Sequence, residues 1–168
     1  MKKLEKPMYR TITGRPLDLS QLVREERSFI AHVHAMYKKS PEWSKFAAWW
    51  VQEFDKRGLE TGGLVYRICQ DLEGRLGIAQ GQVAQPGYRD YLADLIEEKY
   101  GSRYKFCKET GVDPGHLSRV FASRSDLSLD ALEKLLHALG AALVVQAEDA
   151  LRANTSPEEA SRALAGVA

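Results

Sequence analysis

Cysteine is scarce, a surplus of either charge is missing, and no apolar run is long. The only cysteines are Cys69 and Cys107, far apart and each inside an apolar helical pattern. They read as buried thiols in a reducing compartment, with neither disulfide nor metal-ligand spacing. The longest apolar run, around residues 141–145, is far short of a membrane span, so no membrane partner is expected. Residues 1–10 carry lysines but no apolar stretch, which argues against a secretory signal and for a cytoplasmic protein. His32 and His34 stand two apart, on different helix faces, unlike the i, i+4 pair that a metal uses. There is no Gly-rich phosphate loop, and no Ser or Cys nucleophile has a convincing base. The expectation is therefore no enzyme, no cofactor, no catalytic residue and no metal.

The net charge of +1 does not announce a nucleic-acid binder, but its distribution is uneven. Residues 1–17 hold Lys2, Lys3, Lys6, Arg10 and Arg15 against Glu5, broken by Pro7, Gly14 and Pro16. This segment reads as a basic, irregular arm. A second cluster, Arg103, Lys105, Lys108, Arg119 and Arg124, lies far downstream.

Apolar content of 44% and charged content of 28% over 168 residues suit one soluble domain or two small ones. Residues 18–81 predict an N-terminal three-helix unit. Phe29, Ile30, Val33, Met36 and Tyr37 form the first apolar face. The second helix is expected to be capped by Ser40, started by Pro41 and stopped by Gly58, with Trp43, Phe46, Trp50 and Phe54 as its stripe. Trp49 and Trp50 cannot both face one core, so one should meet another element or chain. Val65, Ile68, Cys69, Leu72 and Leu76 mark the third helix. The Gly- and Gln-rich stretch 77–87 reads as a linker. After it come a helix with Tyr88, Leu92 and Leu95, then two short helices, then one capped by Ser128. Residues 141–146 predict a short strand, and 148–168 a disordered or frayed tail.

The two short helices carry the functional signal. Cys107 is small enough for a close helix crossing. Gly111, four residues on, tolerates positive φ in the turn. Asp113 suits the cap of the next helix, Pro114 its first position, and Val112 can staple onto Leu117. The spacing of Cys107, Gly111 and Leu117, followed by Val120, Phe121 and the helix through Leu139, resembles the lambda-repressor-like (Cro-type, XRE) family. The resemblance is good over residues 103–140 and looser over 88–147.

The resemblance implies an all-α fold and a helix-turn-helix that puts the helix from Pro114 into the DNA major groove. Base readers by position are Gly115, His116, Ser118 and Arg119. Arg119 has a fork that matches guanine O6 and N7, or else pairs with Asp113 or Glu109 on the surface. His116 either reads a base or makes a local helix contact. Phosphate contacts fall to Arg103, Lys105, Ser123, Arg124 and Ser125. Pro114 and Gly115 stand where the family commonly has polar side chains, which shifts readout toward Arg119, His116 and DNA shape. The implied role is a bacterial or phage-type transcriptional regulator, a repressor in the simplest case, binding double-stranded DNA as a homodimer and so associated with the nucleoid. Two alternatives stand beside it. One is an antitoxin-type protein that neutralises a protein partner through the N-terminal unit. The other is a module that bridges proteins without binding DNA.

Overall fold

The computed structural model describes residues 7–167, which are mostly helical and carry one two-stranded sheet. The chain divides into two compact units, Met1–Gln85 with Glu148–Ala168, and Pro86–Ala147.

The first unit opens with a hairpin. Strands β1 (Met8–Arg10) and β2 (Pro16–Asp18) pair antiparallel, with Tyr9 opposite Leu17. Side chains alternate across a strand, so this register sends Tyr9 and Leu17 into the core together. The irregular arm expected over 1–17 is thus corrected from Met8 onward: Tyr9 and Leu17, in register, dock a hairpin on the core. Lys2, Lys3, Lys6 and Glu5 lie outside the described residues.

Three helices follow: α1 (Arg24–Tyr37), α2 (Trp43–Lys56) and α3 (Leu64–Ala79). Phe29, Ile30, Val33 and Tyr37 of α1 meet Phe46, Trp50 and Phe54 of α2 and Val65, Ile68, Cys69, Leu72 and Leu76 of α3 in one core. Trp50 is buried and its indole N–H donates to Glu73 Oε2 at 2.7 Å, while Trp49 is half-buried against His32 of α1, ring centroids 5.3 Å apart. Trp49 also packs against the same core, near Phe46, so the expectation that the two tryptophans cannot share one core is corrected: Trp50 fills it and Trp49 covers its edge. Ser40 does not cap α2. It sits at φ 47, and the helix begins at Trp43, whose N–H is accepted by Gln80 Oε1 at 2.9 Å. The expected linker starts later than 77, because α3 runs through Gly77. A Cβ there would stand 3.0 Å from Trp43 Nε1 and 2.4 Å from Val83 Cγ2.

The C-terminal segment is also corrected. Helices α8 (Glu148–Asn154) and α9 (Pro157–Leu164) form, and Ala160, Leu164 and Val167 are buried in the first unit's core. Ser156 caps α9 and Pro157 opens it. Arg75 of α3, fully buried, joins these chain ends. Its Nε donates to Asp71 at 2.7 Å, Nη2 to the Arg10 carbonyl at 2.8 Å and Nη1 to the Ser156 carbonyl at 3.0 Å. Asp71 also accepts from Tyr9 Oη at 2.5 Å and from the Ile12 N–H at 2.6 Å. Burial, reinforced by the Asp71 carboxylate, pushes the Tyr9 phenol well above its ordinary value. The phenol therefore stays a donor.

The second unit holds four helices: α4 (Tyr88–Tyr100), α5 (Arg103–Thr110), α6 (Pro114–Phe121) and α7 (Leu129–Ala138). Leu92, Ile96, Phe106, Cys107, Leu117, Leu135 and Leu139 form its core. The strand expected over 141–146 is absent. Residues 141–147 have no regular structure, and Val144 and Val145 are 74% and 94% exposed. An apolar run makes a strand only where a neighbouring strand accepts its backbone hydrogen bonds, and none lies beside it among the described residues.

Candidate nucleic-acid interface

The turn between α5 and α6 is built by local rules. The Ser102 hydroxyl accepts the Lys105 N–H at 3.2 Å and starts α5. Gly111 ends it at φ 75, donating its N–H to the Cys107 carbonyl at 2.9 Å. Asp113 caps α6 by accepting the His116 N–H at 2.6 Å, and Pro114 takes the first helical position. Cys107 and Leu117 are buried where the two helices meet their core. Burial, with Asp113 contributing, raises the Cys107 thiol, so it packs as a neutral group.

With Leu117 and Val120 turned inward, α6 presents Gly115, Ser118 and Arg119 to solvent on one face, at spacing i, i+3, i+4. Arg119 makes no ion pair with Asp113 or Glu109 among the described residues. Its Nη1 lies 3.5 Å from the point that a Gly115 Cβ would occupy, and Asp113 Oδ2 lies 3.4 Å from the same point. His116 is placed differently. It is half-buried and lines a groove of about 300 Å³ with Val112, Leu127, Ala131 and Leu135, away from the Gly115–Arg119 face.

The residues expected at phosphates also divide. Lys105 and Arg124 are exposed. Arg103 is exposed too, but its guanidinium stacks 4.1 Å from the centroid of the Phe121 ring, tying the start of α5 to the end of α6. Ser123 adopts φ 56, the left-handed conformation that glycine takes without strain. It thereby turns the chain so that the Arg124 N–H reaches the Arg119 carbonyl at 2.9 Å. Ser125 is half-buried, and its carbonyl faces inward to a residue that the sequence did not single out.

That residue is Arg89 of α4. Its Nε donates to the Val120 carbonyl at 2.8 Å and its Nη2 to the Ser125 carbonyl at 3.3 Å, and it pairs with Asp126. The open carbonyl end of α6 and the loop after it are held by this one fork. The available signal was weak: an arginine in the first turn of α4, where the dipole favours an acid, calls for a partner elsewhere. Among the described residues no group of His, Cys, Asp or Glu could hold a metal, and no helix is long and apolar enough to cross a membrane. No family model, curated protein or solved structure matches the chain.

Proposed function

We propose that the second unit is a lambda-repressor-like helix-turn-helix that binds double-stranded DNA, and that the chain is a sequence-specific transcriptional regulator, a repressor in its simplest form. One observation carries the reading. The exposed strip Gly115, Ser118 and Arg119 of α6 holds no large apolar group and, among the described residues, an arginine without an ion pair, and Lys105 and Arg124 of the same unit are exposed. A small, polar helix face with an available guanidinium suits a major groove. Bases are read by Arg119, with Ser118 as a minor reader, and phosphates are met by Lys105 and Arg124. His116 and Arg103, committed to a groove and a ring, support α6 in this reading.

The chain acts as a homodimer. One such helix buries too little surface for tight operator binding, and two half-sites one helical turn apart supply the remainder. The exposed Leu143, Val144 and Val145 following α7 give a second copy apolar surface to cover. The first unit adds no base contact. The test is to capture duplexes from a fragmented genome or a random pool on the purified full-length chain and sequence them. The account expects an enriched, two-fold symmetric motif containing guanine in each half. Recovery of the input distribution would refute it.

A further inference from the structure

We propose that Gly115 is a specificity determinant, because the space left by its missing side chain lets Asp113 steer the Arg119 fork over the first turn of α6. The inference rests on the DNA-binding reading above and names what that site recognises: duplexes with a guanine read by this single arginine.

Three facts converge on one point. A Cβ on Gly115 would stand 3.4 Å from Asp113 Oδ2, 3.9 Å from Asp113 Oδ1 and 3.5 Å from Arg119 Nη1. The carboxylate and the guanidinium therefore border the same notch. They do not close into an ion pair, so the fork keeps its donors for an incoming acceptor. Asp113 is itself fixed, because its Oδ2 accepts the His116 N–H. The carboxylate thus has two tasks: it caps α6, and it draws the guanidinium back along the helix axis toward the first turn. An arginine on an exposed helix face otherwise samples many rotamers, and ordering it in advance removes part of that cost on binding.

Guanine suits this geometry, since O6 and N7 present two acceptors side by side to a two-pronged donor. The neighbouring first-turn residues are Pro114 and Gly115, neither of which offers a side-chain hydrogen bond. His116, the next first-turn residue, lines the groove with Leu127 and Ala131 and so does not compete for the base edge. The notch also limits what position 115 accepts. A methyl group makes ordinary contacts at 3.4 and 3.5 Å, whereas a longer side chain must occupy the volume where the fork lies.

The experiment is motif selection from a random duplex pool by the full-length chain and four variants, with unfolding curves as the control for folding. Gly115→Ala is expected to keep the wild-type motif. Gly115→Leu is expected to lose the guanine preference by at least tenfold, matching Arg119→Ala. Asp113→Asn retains an oxygen for the cap, so the helix persists, and its guanine preference falls by about three- to tenfold. A Gly115→Leu protein that selects the unchanged guanine motif overturns the proposal, as does a guanine preference that survives Asp113→Asn undiminished. Failure of the wild type to bind any duplex would instead remove the DNA-binding reading itself, and is told apart because no variant could then be compared.

Discussion

Arg75 of the first unit has all three guanidinium nitrogens bonded inside the fold, while Arg119 of the second holds its guanidinium in solvent beside a notch. The first unit spends its buried charge on closing itself. Hairpin, α3 and the start of α9 meet at Asp71 and Arg75, so chain ends distant in sequence become one body. The second unit builds its core from apolar residues, turns Arg89 inward to hold the end of α6, and leaves Arg103, Lys105, Arg119 and Arg124 exposed. Buried charge closes the first unit, and the recognition proposed for the second would fall to groups that it leaves exposed.

Removing Arg75 should give the largest effect. Arg75→Ala leaves the Asp71 carboxylate buried without its cation and frees the Arg10 and Ser156 carbonyls. A loss of about 3–5 kcal/mol is expected, the range for breaking one side of a buried pair. All three tryptophans, Trp43, Trp49 and Trp50, lie in the first unit, so urea unfolding followed by tryptophan fluorescence reads this loss directly. A midpoint unchanged from the parent would mean that the network is decorative.

Arg89→Ala makes the matching cut in the second unit. It should cost about 1–2 kcal/mol, since two carbonyls lose their donor at a half-exposed site. Hydrogen exchange at Val120, Ala122 and Arg124 should accelerate, and tryptophan fluorescence should not register the change. Loss of the first unit's midpoint in this variant would break the division drawn above.

Ser123→Gly carries the smallest effect and the opposite sign. Relief of a left-handed serine outweighs the added freedom of glycine in the unfolded chain, for a gain of about 0.5–1 kcal/mol in the second unit. Exchange rates at amides of its core helices measure this, and a destabilised variant would contradict the strain argument.

The legible parts of the chain are those governed by neighbours in sequence. Gly111, Asp113, Pro114 and Ser128 act within one helical turn, and each holds the cap or turn that its chemistry implies. The stripes of α1, α2 and α3 were legible for the same reason. Long-range partners were not. Ala160, Leu164 and Val167 make a narrow stripe in an Ala-rich segment, and only the first unit's core gives it meaning. Asp71 and Arg75 stand at i, i+4 within an apolar stripe, a hint of a buried pair, but their bonds to Arg10 and Ser156 depend on tertiary closure. Residues 141–146 misled in the opposite direction, because strand propensity was present and a partner strand was not. At the candidate interface, position along α6 separated Arg119 from Leu117 correctly. It could not tell that His116 turns toward α7 or that Arg103 stacks on Phe121.

In the proposed reading, the exposed face of α6 and the basic residues of its unit hold duplex DNA. The most direct measurement is the affinity of the full-length chain for a short random duplex between 50 and 200 mM salt, repeated for Arg124→Ala. Log affinity is expected to fall linearly with log salt, with a slope of about −0.9 for each phosphate neutralised, and to flatten by about one unit in the variant. No binding at low salt, or a slope unchanged by Arg124→Ala, would contradict the account.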